Sequence, residues 1–289
     1  MKKTVLRSNS GLIEGLCGHS SGEGDAPRDR IRLGSSTEGI ERLEAHFHGQ
    51  AFSLHRHDTY AIGMTLSGVQ TFQFRGERWR CLPGQCHILH PDEIHDGGAG
   101  ADEGFSYRII YVDPSLVQEA LRGGSLPFVR NPVVDAARLP KGFAAEVWDM
   151  DEDIDDVVRI ELVVVVVNLL LEATSDAMKK SSPLALDRLS RVRDLIATSP
   201  SEQHSMDELE RLCDLDRWTL ARQFRAAFGT SPSRFRTMRQ LDQVRRSLKR
   251  GTPLVEAAIE AGFADQSHMS RQFKVAYGLT PARWAAAIA

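Results

Sequence analysis

The sequence predicts an α+β protein of two domains: an N-terminal antiparallel β-barrel with flanking helices, then an all-α domain. Two observations lead to this fold class. Residues 38–140 form a series of short apolar runs separated by Gly and Pro turns, which is typical of small antiparallel barrels and sandwiches. The C-terminal part contains an internal repeat with helix start and stop signals, which indicates two copies of one helical unit. A chain of 289 residues is long enough for both domains.

The N-terminal elements follow from turn signals and periodicity. Residues 1–37 are rich in Ser and Gly and are interpreted as a mobile leader. Apolar or alternating runs at 60–66, 69–74, 86–89 and 107–112 predict strands of the barrel. Residues 141–182 form a helical dimerisation and linker region, in which 144–180, without Gly or Pro, predict a helix. We expect this helix to pack partly on the barrel and partly on a second copy, which gives a homodimer.

Charge is distributed unevenly along the chain. Residues 1–182 carry 19 Lys and Arg against 27 Asp and Glu, whereas residues 183–289 carry 17 against 12. A basic C-terminal domain indicates a polyanion as its partner.

Cysteine usage and hydropathy indicate the compartment. The four cysteines include no CxxC pair, which fits reduced thiols in a cytoplasm. No apolar run long enough for a signal peptide follows Met1. The most apolar stretch, residues 162–171, is about half the length of a membrane span. The sequence therefore predicts a soluble cytoplasmic protein with no membrane partner.

The internal repeat has an offset of 49 residues. When residues 216–234 are placed over residues 265–283, eight of 19 positions are identical. Agreement of this extent indicates one supersecondary unit present twice. The identical pairs are Asp216/Asp265, Arg222/Arg271, Gln223/Gln272, Phe224/Phe273, Ala227/Ala276, Gly229/Gly278, Pro232/Pro281 and Arg234/Arg283.

Each copy has the signals of a helix, a tight turn and a second helix. Ser205 opens a capping box in the first copy, Asp216 caps the helix that follows, and Gly229 ends it. In the second copy, Asp265 is the equivalent cap and Gly278 the equivalent helix end. Residues 232–249 predict one helix between the copies, about 27 Å long. Residues 183–289 are thus expected to be two helix-turn-helix units joined by a long helix.

The second helix of each copy presents polar side chains opposite its apolar side. These outward sets are Trp218, Arg222 and Arg225 in the first copy and Ser267, Arg271 and Lys274 in the second. Arg can donate two hydrogen bonds to a guanine, and an indole can pack on sugars or a thymine methyl. Gln266 and His268 add donors near the start of the second helix. We therefore expect double-stranded DNA as the partner, with the units about one DNA turn, roughly 34 Å, apart.

Residues 209–284 resemble the DNA-binding domain of the AraC/XylS family of regulators. The most specific part is the run Ala-Gly-Phe-Ala-Asp-Gln-Ser-His-Met-Ser-Arg-Gln-Phe-Lys at 261–274, followed by Gly-Leu-Thr-Pro at 278–281. The resemblance implies a transcriptional regulator that binds promoter or operator DNA, and an activator of this kind would also contact RNA polymerase. The base-reading positions that it implies are Arg217, Trp218, Thr219, Ala221, Arg222, Gln266, Ser267, Ser270 and Arg271. Asp214 replaces the family's usual Gly in the first turn, and Asp tolerates the left-handed backbone.

The front half resembles the cupin-type sensor barrel of many members of that family, which implies a bound small-molecule effector. In metal-binding cupins a His-x-His pair, a later His and a Glu shortly after the pair converge; here Ala61 and Ile62 occupy the Glu positions. We therefore expect no metal, cofactor or catalytic residue. The candidate effector-binding residues are His55, His57, Tyr60, His90, His95 and Tyr107.

Two interpretations from different classes remain open at this point. The first is a ligand-responsive transcription factor and not an enzyme. The second is a metal-dependent cupin enzyme fused to a DNA-binding domain, since three imidazoles are sufficient to bind Zn or Fe. The missing Glu favours the first.

Overall fold

The computed structural model describes residues 29–135, 138–139, 147–174 and 184–288. The N-terminal domain is built from strands joined by short turns. They are β1 (Arg30–Leu33), β2 (Ile40–Phe47), β3 (Gln50–His55), β4 (Tyr60–Gly68), β5 (Gln70–Phe74), β6 (Glu77–Cys81), β7 (Cys86–Leu89), β8 (His95–Ala99), β9 (Phe105–Val112) and β10 (Val133–Val134). The predicted strands at 60–66, 69–74, 86–89 and 107–112 are confirmed as parts of β4, β5, β7 and β9.

The strands form two antiparallel sheets. One has the order β1-β2-β9-β4-β7-β10 and the other β3-β8-β5-β6. Buried side chains of both sheets, such as Phe47 and Phe72, belong to one apolar core. No hydrogen-bonded ladder joins the two sheets among the described residues, so the expected closed barrel is corrected to an open sandwich.

Strand β1 lies inside the segment that was interpreted as a mobile leader. It pairs with β2 along its whole length, and the side chain of Ile31, in the middle of β1, is buried in the core. Burial of one side chain and pairing to a longer strand are sufficient to order this short run despite its weak apolar pattern. The folded domain therefore starts before residue 38. Residues 1–28 of the interpreted leader lie outside the described residues.

Two helices pack on the sandwich. Helix α1 (Pro114–Ala120) follows β9, and helix α2 (Asp156–Ala173) packs its valines, including Val163, Val166 and Val167, into the core behind the larger sheet. This burial outweighs the weak helix propensity of a valine run.

Helix α2 is shorter than the predicted helix at 144–180. It starts at residue 156 because Asp155 accepts hydrogen bonds from the amides of Val157 and Val158. Upstream, the Asp149 carboxylate accepts from the amides of Asp151 and Glu152 and so holds a turn there. Residues 144–146 and 175–180 of the prediction lie outside the described residues, as does the domain boundary predicted at 182/183.

The C-terminal domain is all helical. It contains α3 (Leu186–Thr198), α4 (Met206–Cys213), α5 (Arg217–Phe228), α6 (Pro232–Lys249), α7 (Leu254–Glu260), α8 (Gln266–Tyr277) and α9 (Pro281–Ala287). The first unit has its own core with α3, whereas the core of the second unit is continuous with that of the sandwich. The two predicted helix-turn-helix units and the long helix at 232–249 are confirmed. No helix within the described ranges is both long enough and apolar enough to cross a membrane.

Candidate DNA interface and effector cavity

Helices α5 and α8 occupy equivalent places in the two units, and their ends are fixed by the same residue types. The Asp216 carboxylate accepts from the amides of Trp218 and Thr219, and Asp265 accepts from the amide of His268. Gly229 and Gly278 end the helices in the left-handed region, at φ of 73° and 70°. The repeated caps give both helices a defined first turn, which is the part that enters the major groove in proteins of this architecture.

The turn before α5 keeps a left-handed backbone, although Asp214 stands where a Gly is usual. Asp214 adopts φ 49° and ψ 47°, a left-handed conformation that Asp accepts at modest cost. Its carboxylate and carbonyl both accept from Arg188 of α3, at 3.1 and 2.8 Å. The turn is therefore held by a side chain as well as by its own backbone.

The apolar sides of both helices are buried, which leaves their polar sides outward. Leu220 and Phe224 of α5 and Met269 and Phe273 of α8 are fully buried. Trp218, in contrast, is 75% exposed, although a Trp on an unpartnered surface loses hydrophobic free energy. The candidate DNA-binding residues that the structure leaves exposed or half-buried are Arg217, Trp218, Thr219, Arg222, Arg225, Gln266, Ser267, His268, Ser270, Arg271 and Lys274.

Two of these arginines have partners that the sequence did not reveal. The Arg217 guanidinium contacts the carboxylates of Asp207 and Glu210 on α4, each at 2.7 Å. Arg225 contacts the carboxylate of Asp92 in the N-terminal domain at 2.9 Å. Both candidates are thus engaged within the protein in this conformation, whereas no ion pair of Arg222 or Arg271 is found among the described residues.

A cavity of about 420 Å³ lies between the sandwich and the second helix-turn-helix unit. The sandwich contributes apolar and aromatic side chains such as Phe72 and Ile109, and α6 contributes charged ones. This volume is within the range of small-molecule sites, which are apolar with a few placed polar groups.

Strand pairing brings three histidines together in this cavity. His55 on β3 lies directly opposite His95 on β8, and their rings are 4.2 Å apart between centroids. His57 follows the end of β3, with its ring 4.8 Å from that of His95. All three are buried and line the cavity, as does Tyr107, so these four predicted effector residues share one site.

Each of the three imidazoles is oriented by the backbone. Nδ1 of His55, His57 and His95 donates to the carbonyls of Ser53, Thr59 and Glu93, at 2.8, 2.9 and 2.9 Å. Since a carbonyl only accepts, Nδ1 carries the hydrogen in each ring. The Nε2 atoms are then bare acceptors available to a molecule in the cavity.

Burial keeps these rings neutral. It lowers the pKa of His55 and His57 well below the usual 6.5, with repulsion from the neighbouring histidines acting in the same direction. The pKa of His95 is lowered to about 4, again chiefly by burial. Three neutral acceptors favour a ligand that brings hydrogen-bond donors.

Tyr60 and His90, which were grouped with these histidines on sequence, do not line the cavity. The Tyr60 hydroxyl donates to the carbonyl of Pro127 at 2.9 Å, and Nε2 of His90 accepts from the amide of Val129. Both side chains hold the segment around residue 128 against the larger sheet. The Tyr60 hydroxyl and Nε2 of His90 are therefore engaged by the backbone and lie outside the cavity lining.

The contribution of α6 to this cavity does not follow from the sequence, which predicts α6 only as the helix that joins the two units. Half-buried Arg239 of α6 contacts the Asp58 carboxylate at 2.8 Å, and Arg245 pairs with Glu41 of β2. Burial raises the pKa of Asp58 to about 6, although Arg239 opposes this rise. The one signal in the sequence was a charged stripe along α6, formed by Arg239, Asp242, Arg246 and Lys249.

A metal centre was the alternative role for the three histidines. Within the described ranges, no group of three or more His, Cys, Asp or Glu side chains has an arrangement suited to a metal ion. The Glu positions of metal-binding cupins hold the apolar, fully buried Ala61 and Ile62.

Comparison with known protein families assigns both domains. Residues 39–156 match the family of AraC-like ligand binding domains, and residues 211–287 match a family of helix-turn-helix domains. The chain is also 24% identical over 225 residues to YbfI, an uncharacterised HTH-type transcriptional regulator of Bacillus subtilis (strain 168). That alignment covers 76% of this chain and 82% of the relative.

Solved structures share the two-domain fold. ToxT from Vibrio cholerae superimposes with a TM-score of 0.63 at 11% identity, over 86% of this chain and 98% of ToxT. A ToxT structure from strain SCE256 with a bound unsaturated fatty acid gives a TM-score of 0.60 at 13% identity, over 87% of this chain and 96% of that one. These likenesses establish the arrangement of the chain.

Proposed function

Because this chain is an AraC-type transcriptional regulator, with an AraC-like ligand binding domain and a helix-turn-helix domain, we propose that an effector in its cavity controls its binding to specific DNA sites. The observation that carries the proposal is the repeated recognition helix. Two helices with matching Asp caps, matching Gly ends and buried apolar sides leave Trp218, Arg222, Arg271 and Lys274 exposed. Arginine is the side chain that most often reads guanine in the major groove.

The cavity is the proposed effector site. It is lined by both domains, so a molecule bound there contacts the sensor sheets and α6 at once. The structural neighbour ToxT carries an unsaturated fatty acid in one of its structures, and the apolar lining of the present cavity suits a ligand with an apolar body. His55, His57 and His95 add three acceptor nitrogens, so we propose that the effector also carries a hydroxyl or other donor group.

Regulation rather than catalysis is the proposed role of the sensor domain. The three histidines lack an accompanying carboxylate at the positions where metal-binding cupins have one, since Ala61 and Ile62 stand there. The chain would act in the cytoplasm, where a bacterial-type regulator meets DNA.

We further propose that the chain works as a homodimer through α2. The outward side of this helix carries Val157, Ile160 and Val164, which are 63, 64 and 47% exposed, with Leu171 further along. Their spacing of three, four and seven residues places them on one stripe next to the buried side. Two such stripes from two copies would cover each other and bring four recognition helices to one operator.

Selection of genomic fragments on the purified protein, followed by titration of the strongest fragment, tests the proposed function. We expect that fragment to bind at least about 10³-fold more tightly than a shuffled duplex of the same length and composition. Equal affinity for both duplexes would contradict sequence-specific binding.

A screen of small molecules by thermal denaturation tests the effector site, since a ligand raises the melting temperature of the protein that binds it. A molecule that binds in the cavity should no longer raise the melting temperature of the His57→Phe variant, because this substitution removes one acceptor nitrogen.

A further inference from the structure

The Asp92–Arg225 contact joins the sensor domain to a recognition helix. Asp92 lies in the turn between β7 and β8, with its side chain only 5% exposed, whereas Arg225 is 58% exposed at the C-terminal end of α5. Oδ2 of Asp92 is 2.9 Å from Nη1 of Arg225, and Oδ1 is 3.6 Å from Nη1 of Arg56. A carboxylate of the sensor domain is thus held against an arginine of the proposed DNA-binding face.

The backbone holds this carboxylate in place. Asp92 has φ 62°, in the left-handed region that few residues other than Gly, Asn and Asp adopt. Next to it, Pro91 packs on the end of α5 so closely that a Cβ on Gly229 would lie 2.5 Å from the Pro91 Cβ. The turn is therefore packed directly against the end of the helix, and this packing places Arg225 next to Asp92.

The same turn is attached to the wall of the effector cavity. The amide of Asp92 donates to the carbonyl of His57 at 2.7 Å, and the imidazole of His57 lines the cavity. One backbone hydrogen bond therefore separates a cavity residue from the carboxylate that holds Arg225.

We propose that Asp92 occupies Arg225 in place of a DNA phosphate and thereby weakens DNA binding in the effector-free protein. Arginine pairs with carboxylates and phosphates through the same forked donors. While Arg225 is paired with Asp92, it adds no net charge to the interface and releases no counterion from DNA. A shift of His57 on effector binding would move the Asp92 turn and free Arg225. This inference rests on the proposed DNA-binding function and adds to it a residue of the sensor domain.

The test is the salt dependence of DNA binding by the effector-free full-length protein and its Asp92→Asn variant, measured on the duplex recovered by selection. Asn keeps the shape of the side chain and tolerates the left-handed backbone, so the turn should fold. We expect Asp92→Asn to bind about two- to fivefold more tightly. The slope of log K against log salt should become steeper by about 0.9, the contribution of one phosphate contact.

The matched control is Glu93→Gln. It removes the same charge from the neighbouring residue, whose carboxylate pairs with Arg75 within the sensor domain at 3.0 Å. This variant should keep the wild-type slope, and Asp92→Asn should change nothing in an Arg225→Gln background. If circular dichroism shows that Asp92→Asn does not fold, Asp92→Gly replaces it, because Gly adopts the same backbone freely.

Three results would overturn the inference: an unchanged slope for the Asp92 variant, an equal change for Glu93→Gln, or a gain that persists without Arg225. Failure of the wild-type protein to prefer the selected duplex would instead refute the proposed function itself. The two failures are therefore distinguishable in one set of titrations.

Discussion

At the residue scale, the two recognition helices differ in how free their arginines are. Arg217 and Arg225 of α5 are held by carboxylates of the protein. Arg271 of α8 is exposed, and Arg222, the equivalent residue of α5, donates to the hydroxyl of Thr219 at 3.3 Å. No ion pair in the described part of the chain therefore competes with DNA for Arg271, the side chain that we propose to read a base in the second unit. We therefore expect the strongest contacts with DNA bases in the second unit.

Replacement of Arg271 by Ala tests that expectation. If Arg271 donates two hydrogen bonds to a guanine, Arg271→Ala should weaken binding to the selected duplex by about 1–3 kcal/mol and relax the preference for one base pair. Lys274→Ala, one turn further along the same exposed side, is the matched control. As a phosphate contact it should weaken binding to all duplexes alike and reduce the salt slope by about 0.9. Titration by fluorescence anisotropy measures both, and wild-type affinity for Arg271→Ala would exclude the assignment.

The buried histidines make the stability of the protein depend on pH. Their pKa values are lower in the folded protein than the ordinary 6.5, to about 4 for His95. The unfolded chain therefore binds more protons between these values, and the free energy of unfolding falls as the pH is lowered from about 6.5 to about 4. Above about 6.5 this contribution is complete.

Comparison with His95→Gln isolates the effect. Gln keeps a neutral polar group but does not titrate, so the variant should lose stability less steeply over that pH range in urea denaturation. Asp58, whose pKa is raised to about 6, titrates nearby with the opposite sign because it binds more protons when folded. That contribution is common to both proteins and cancels in the comparison. Equal pH slopes for the wild type and the variant would contradict a buried, neutral His95.

At the element scale, local signals predicted some boundaries and missed others. Capping residues placed α5 at 217–228 and α6 at 232–249, as found, because a cap depends on neighbours within three residues. The helix predicted at 144–180 starts only at residue 156, since carboxylates such as Asp149 and Asp155 bind backbone amides before it. Strand β1 was missed because its order depends on pairing with β2, a contact that periodicity does not show.

Some residues of the candidate sites can likewise be predicted from local signals in the sequence, and others cannot. The recognition-helix residues follow from helical periodicity, which fixes the side of a helix from the sequence alone. The convergence of His55 and His95 depends on the register of β3 with β8, which turn signals do not determine. The Asp92–Arg225 contact joins residues of two domains and leaves no pattern in the sequence at all.

The exposed apolar stripe of helix α2 is the proposed dimer interface. Ile160→Glu places a charge in the middle of its exposed apolar stripe and should shift the protein from dimer to monomer, because two such charges would face each other across the interface. Glu161→Gln, the adjacent exposed position outside the stripe, should leave the dimer intact. Sedimentation velocity measures both. A monomeric wild type, or a dimeric Ile160→Glu, would exclude this interface.

At the scale of the whole molecule, the sensor sandwich and the second helix-turn-helix unit share one apolar core and one cavity. The first unit has a separate core with α3 and touches the sandwich through α1 and the Asp92 turn. An effector bound in this cavity, as we propose, would act directly on the second unit and, through the turn, on the first. One small molecule would then control both of the proposed recognition helices.

We propose that one chain reads two adjacent major-groove segments. Hydroxyl-radical footprinting of the selected duplex, with one strand labelled at a time, measures this directly. Helix α6 spans about 27 Å at 1.5 Å per residue, so each chain should protect two segments on one face of the duplex, about one turn or roughly 34 Å apart. Ser267→Glu together with Arg271→Glu should erase one of these segments and leave the other. A single protected segment per chain, or uniform protection along the duplex, would contradict this mode of binding.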